Sequence, residues 1–472
     1  MASSTPSKGY RGSNFPYQYA GHRVHLQQQQ EIDECVMLME QEIKLASMPP
    51  LAVSTSYSFR TIFPVPPVLF EVRPKAFCPK LITVGPLCRL MLKPYCNSME
   101  LASCKALCIK AFMARHNNID LDALIAYAIP DPDNVVQNLY SGLSQFYTPE
   151  AFKLLLVVDS VFILTCLFRK FAAQHRPESD AIVEAFFKNA CAGLLIRDLL
   201  LLGNQVPMWF LKRLLELEPT NVCNLEEMGK CVESLIRHGN PFWLDAYPST
   251  FQLKEIPPLD CEHFLDCLHL SCVQTPDGTK SHEKWESWLE PLPTASELSK
   301  VGIRFRAQKG NTSAVAYHKK SLELDLPILA VYDDTEDILR NLIAYELTVK
   351  RKQLICSYAI IMDSLIDSRE DLQILYKAGV LKNHLGNDER LVQMWNDMCI
   401  HIPNSMCAEW VKMAKDIKKT YDSNWRVMYV EFFTKFCSRP WLWISTMAAV
   451  LLLALTTLQT VYTVLGYYQV DE

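Results

Sequence analysis

The chain has 472 residues, 49% apolar and 21% charged, which is enough apolar material for a sizeable core and excludes wholesale disorder. A formal charge of −5 and a pI near 6.2 argue against a nucleic-acid protein, which usually carries a basic excess. The 17 cysteines are an odd number scattered through apolar stretches, so a small disulfide scaffold is excluded and buried thiols in a reducing compartment are expected.

Residues 1–30 are polar, carry the run Gln27–Gln30 and lack the apolar stretch of a secretory signal, so they read as a disordered tail. Ala2 excludes N-myristoylation. Ile32, Val36, Met39 and Ile43 share one face of a predicted helix over Ile32–Leu45. Residues 49–90 are rich in proline (Pro64, Pro66, Pro67, Pro74, Pro79, Pro86) and are expected to run extended across the surface without helices. Helical patterns dominate from Ala102 to Leu217. Within them Leu154–Phe168 is apolar but short, and Asp159 inside it would be costly in lipid, which predicts a buried helix.

At Cys191–Leu202 an apolar helix is expected, with Gly203 as a left-handed cap and Pro207 opening the next helix. Asn204 and Gln205 lie between, placed to bond the orphan backbone groups of both helix ends. Residues 273–294 are the longest polar break and read as a loop or hinge. Val301–Phe305 and Ser313–Tyr317 alternate as a short strand pair, and Asp334–Asp337 fill the cap and first turn of a helix continuing to Leu347. The fold class is therefore mainly α with minor β: a soluble domain over 31–436, then a membrane helix over 440–466.

That last helix has no charged residue from Pro440 to Val470. Its core Leu442–Leu465 is 24 residues long, or ~36 Å, enough to cross a hydrocarbon layer of about 30 Å and make the lipid bilayer a partner. Trp441 and Trp443 at one end, and Tyr462, Tyr467 and Tyr468 at the other, suit the two membrane interfaces. Seven basic residues (Lys412, Lys415, Lys418, Lys419, Arg426, Lys435, Arg439) precede the span within Val411–Arg439, against three acids. Only Asp471 and Glu472 follow it. This bias places the main domain in the cytosol, as in a single-pass, tail-anchored protein of the plasma membrane or an endomembrane. The basic flank reads as a solvated helix face or as a contact with anionic headgroups.

Motifs for chemistry are scarce. No phosphate loop, G-x-S-x-G, H-E-x-x-H or C-x-x-C pair occurs, so no cofactor or metal is assigned. Cys261–Cys272 holds three Cys and two His, with His263 and Cys267 one turn apart. Phe264, Leu265, Leu268 and Leu270 make it look like an ordinary buried helix instead. Asp159 and Asp198 sit in apolar runs and must find partners or shift their pKa; structural acids and a catalytic pair are the two readings. Asn311-Thr312-Ser313 is the one N-glycosylation acceptor found, in a polar stretch expected to be exposed.

Several blocks, in order over residues 32–465, resemble the plant domain-of-unknown-function 247 family. They include Ile62–Pro86 ending in Gly-Pro, Lys105–Met113, Leu155–Phe162 around Asp159, and Ile196–Leu211, whose leucine run precedes an Asn-Gln and a Pro. Leu339–Glu346, Tyr358–Asp367, Gly379–Asp388, Arg439–Trp443 and the apolar helix complete the likeness. Departures are Gly203, where the family usually has Glu, and Leu87–Cys88, where histidines commonly follow the Gly-Pro. The resemblance implies a plant single-pass membrane protein without established catalytic residues, some relatives being tied to self-incompatibility recognition. It favours a non-catalytic interaction or signalling role with a protein partner; the alternative is a membrane-tethered enzyme using Asp159 and Asp198.

Overall fold

The computed structural model describes residues 62–91, 99–116, 119–129, 140, 147–171, 181–217, 224–242, 258–273, 285–287, 290–349, 353–423 and 440–469. The N-terminal tail and the helix expected at Ile32–Leu45 lie outside the described residues. The proline-rich segment is not free of helix: α1 (Pro67–Val72), α2 (Pro74–Phe77) and α3 (Pro86–Met91) each begin at a proline. Proline is barred from helix interiors but suits the first position, where its missing N–H would have had no partner.

Helices α4 (Met99–Arg115) and α5 (Leu121–Ala128) lead to α6 (Pro149–Phe171), the axle of the N-terminal half. Then come α7 (Ala181–Asn189), α8 (Ala192–Leu199), α9 (Met208–Leu215) and α10 (Leu225–Gly239). Helices α3, α4, α5, α9 and α10 all pack on α6, which is why it is apolar on every side. Its most apolar window is 78% buried, as expected of a core helix.

After α11 (Phe264–Val273) the polar break contains a strand, β1 (Trp285–Ser287), that the sequence reading missed. A capping box at Thr294 and Glu297 then opens α12 (Ala295–Lys300). The expected strand pair appears as β2 (Arg304–Gln308) and β3 (Ala316–His318), but the two do not pair with each other. The strand β4 (Glu323–Pro327) lies between them, parallel to β2 and antiparallel to β3. Strand β5 (Leu329–Val331) precedes α13 (Thr335–Val349), with Glu336 and Asp337 in the first turn as expected. The remainder is α14 (Leu354–Leu365), α15 (Arg369–Lys377), β6 (Leu381–Asn383), α16 (Asp388–Met398), β7 (Ser405–Cys407) and α17 (Ala408–Tyr421). β6 pairs with β5 and β7 with β1, and one apolar cluster runs from Ile62 to Ile417.

The final helix, α18 (Pro440–Gln469), stands apart from that core. Its segment Ile444–Val464 is long and apolar enough to cross a membrane, and none of it is buried in the protein. Tyr462 is 69% exposed. The side chains of Trp441, Trp443, Tyr467 and Tyr468 lie outside the described residues.

One acid is poorly placed. Asp363 sits in the last turn of α14, where the helix dipole disfavours an anion. Burial first, and then the charge of Asp367, push its carboxyl up to about 6. A raised folded-state pKa favours the protonated form, so the benefit is complete below about pH 4 and is lost as pH rises through 6. Asp363→Asn is therefore expected to stabilise the protein at pH 8 by about 1 kcal/mol, after discounting for its open side, and by almost nothing at pH 4. Thermal melts of both proteins at the two pH values check this; an equal gain at both would refute it.

Candidate functional site: a backbone strap held by side chains

Between α2 and α3 the chain runs from Cys78 to Gly85 with neither helix nor strand. Its N–H and C=O groups are part-buried at Cys78–Leu81 and buried from Ile82 to Gly85, and they must find partners. They find them in the very residues that stood out in the sequence. The Asp198 carboxylate, at the end of α8, accepts from the backbone N–H of Lys80 (2.9 Å), Leu81 (2.6 Å) and Ile82 (3.0 Å). Asn204 accepts from Val84 N–H at 2.7 Å and donates to the carbonyls of Ile82 and Asp198. Asp159, midway along α6, accepts from Gly85 N–H at 2.9 Å and from Lys105 Nζ at 2.5 Å. Lys105 also donates to the Thr83 carbonyl and stands over the Phe162 ring.

A second layer fixes this one. Arg197 is fully buried; its Nε meets Asp337 and its Nη1 meets Asp198, both at 2.6 Å. The same guanidinium donates to the carbonyls of Lys75 and Cys78. Lys80 Nζ reaches Asp337 at 3.1 Å. Asn341 of α13 donates to the Ala76 carbonyl and accepts from Leu202 N–H. Burial pushes the Asp198 carboxyl above its ordinary value, against the pull of the strap N–H groups and Arg197. Burial, and then Asp159, push the Tyr140 phenol well up; its hydroxyl donates to the Gln205 carbonyl.

Gln205 behaves as expected at the end of α8 but not at the start of α9. Its Nε2 donates to the Leu199 and Leu201 carbonyls, each at 2.7 Å. Its Oε1 accepts from Leu265 N–H of α11, while α9 receives its first bond from Met208 N–H to the Glu262 carbonyl. Pro207 precedes Met208 as the cap residue of α9. Gly203 is not the left-handed cap that was expected, because α8 ends at Leu199 and Gly203 lacks a positive φ. A Cβ there would meet nothing within 4 Å.

Gly85 is the glycine that matters. Its φ is +74°, and a Cβ would stand 2.5 Å from the Gln205 carbonyl oxygen. Gly85→Ala is expected to cost about 3 kcal/mol, from the left-handed conformation and the clash together. Gly203→Ala should be neutral or gain roughly 0.5 kcal/mol. Urea unfolding of the two variants compares them directly; similar midpoints would show that the strap does not pass this close to Gln205.

The cysteine–histidine stretch is an ordinary helix with structural polar groups. His263 Nδ1 accepts from Asp266 N–H, and Asp266 in turn accepts from Tyr345 Oη and from Glu262 N–H. His269 meets Glu346 at 2.8 Å, and Glu346 accepts from Ile355 and Cys356 N–H at the start of α14. A hydrogen bond from Cys261, then burial, push the Cys267 thiol well up; burial does the same to Cys272. Among the described residues no group of His, Cys, Asp and Glu is placed to hold a metal ion. Nor is Asn311 exposed: it is 4% accessible, and Thr312 donates to the Cys272 carbonyl at the end of α11. The stretch is polar but not surface: its polar groups satisfy a buried helix terminus.

The sequence reading thus found Asp159, Asp198, Asn204 and Gln205 but missed Arg197, Lys105, Asp337 and Asn341, which complete the network. Arg197 carried a signal, a second charge beside Asp198 in an apolar helix. What the assembly does is hold one backbone segment: Asp198 takes the N–H groups of Lys80, Leu81 and Ile82, and Asp159 takes that of Gly85.

A model of a plant family of unknown function, domain of unknown function 247, matches residues 62–455. UPF0481 protein At3g47200 of Arabidopsis thaliana is 22% identical over 429 residues, covering 86% of each chain. Putative UPF0481 protein At3g02645 of the same plant is 33% identical over 170 residues, 36% of this chain and 32% of that one. No solved structure matches.

Proposed function

Because the chain belongs to the plant domain-of-unknown-function 247 family, whose activity is not known, we propose a role from its own physical features: a membrane-anchored, non-catalytic interaction or recognition protein with its helical domain in the cytosol. One observation carries this reading. The apolar segment Ile444–Val464 has mean hydropathy 1.8 and no burial within the protein, a surface that water does not tolerate over such a length. The buried acids support the non-catalytic part, since each is occupied by donors from the chain itself. The described cysteines are all free thiols, which supports a reducing side.

Because Asn311 is buried, the absence of a glycan would not report sidedness, and protease access must do so. In sealed plant membranes carrying the full chain, protease added outside microsomes should digest the domain without detergent, and the chain should resist alkaline carbonate extraction. Digestion only after detergent would put the domain in the lumen. Proximity labelling from the N-terminus should give the same partner set for wild type and for Asp159→Asn/Lys105→Met, which removes both charges of the buried ion pair together. A variant that keeps the fold and partner set but loses biological function would favour the enzyme reading.

A further inference from the structure

Helix α17 buries Val411, Ala414 and Ile417 and presents Lys412, Lys415 and Lys419 to solvent, three lysines at i, i+3 and i+7 on one outer face. The fold adds charge to this stripe from almost a hundred residues away. The turn after β3 carries exposed Lys319 and Lys320, and it is fastened alongside α17 by two contacts. Tyr317 Oη donates to Thr420 Oγ1 at 3.1 Å, and Lys319 Nζ meets Asp416 at 3.2 Å. Asp416 is paired with Lys319, while Glu409 stands exposed at the start of the helix and Asp422 at its end, so five lysines against three acids leave a net positive surface. Lys418 is turned aside and paired with Glu290.

The position of the stripe matters as much as its charge. Seventeen residues separate Asp422, the cap residue after α17, from Pro440, which begins the apolar helix. Even fully extended, that chain spans roughly 60 Å, so the stripe stays tethered near any bilayer the helix enters. A basic surface within that reach is attracted to negative headgroups once it comes within a Debye length, roughly 10 Å, of them, and each lysine adds to the attraction.

We propose that the surface formed by Lys319, Lys320, Lys412, Lys415 and Lys419 docks the domain onto the anionic lipid surface of the bilayer that holds its anchor. This rests on the membrane-anchored reading given above. The contact is electrostatic and sets which side of the domain faces the membrane, leaving other faces open.

The test uses the full chain reconstituted into vesicles of phosphatidylcholine alone or with 30% phosphatidylserine. Lysines are acylated by a membrane-impermeant reagent and the sites quantified by mass spectrometry. The five stripe lysines should be labelled about tenfold less in the anionic vesicles, with the protection lost in 1 M salt, while Lys230 and Lys382 react equally in both. Lys412→Gln/Lys415→Gln/Lys419→Gln, which touches only exposed positions, should abolish protection of Lys319 and Lys320. Equal labelling in both vesicle types overturns the proposal and leaves the stripe to an acidic protein surface. Flotation separates this from the anchor reading. A chain that floats with anionic vesicles only, and is stripped by salt, supports the stripe and refutes the anchor; one that floats with both yet shows no protection supports the anchor and refutes the stripe.

Discussion

Asp198→Leu should prevent the protein from folding cooperatively, or lower its stability by about 5 kcal/mol. The substitution leaves the backbone N–H groups of Lys80, Leu81 and Ile82 without their acceptor, in a setting that is part-buried for the first two and buried for Ile82. Each such orphan costs about 1–3 kcal/mol. Arg197, fully buried, would also lose one of its two carboxylates, and breaking a buried ion pair by removing one partner costs about 3–5 kcal/mol. The terms are not additive, because the strap can shift to recover some bonds, but their size rivals the whole stability of an ordinary domain. Asp198→Asn keeps one acceptor oxygen and should lose about half as much. Urea unfolding followed by circular dichroism measures all three proteins. A leucine variant with the wild-type midpoint would show that the strap is held by something other than Asp198.

Truncation after Arg439 should turn a detergent-requiring protein into a water-soluble one with unchanged helicity in the remaining domain. The reason is that Ile444–Val464 makes no contribution to the core, so its removal takes away exposed apolar surface and no packing. The effect should be close to all-or-none: the full chain in the carbonate-resistant membrane pellet, the truncated one in the supernatant at physiological salt. A truncated chain that stays in the pellet through 1 M salt would mean that α6 also inserts, against its 78% burial. Release by salt alone would instead identify the lysine stripe as the remaining contact.

Local features were legible in the sequence because their causes lie within a few residues. An apolar stretch free of charge specifies α18. Asp159 inside an apolar run specified a buried helix, and α6 is one. At 23 residues it is longer than the expected 15 and long enough to cross a membrane, but 78% of its most apolar window is buried in the protein. The roles of Asn204 and Gln205 followed from two short polar side chains between two helices, and both do bond carbonyls at the end of α8. The α-rich class and the acid-rich start of α13 came from the same short-range rules.

The tertiary structure decided which distant groups satisfy each other, and no local pattern encodes that. Asp198 and the strap N–H groups are more than a hundred residues apart, so the sequence could require a partner for the acid without naming it. The same limit explains β4 between β2 and β3: alternation marks a strand, whereas pairing depends on what folds back beside it. Proline bars helix interiors but not their starts, and the structure places Pro67, Pro74 and Pro86 at first positions. Asn311 and Thr312 are polar enough for the surface, yet the buried end of α11 has carbonyls to satisfy and they lie within reach of it. Short-range chemistry sets what each segment can become; a shortage of buried hydrogen-bond partners, resolved across the whole chain, sets where it goes.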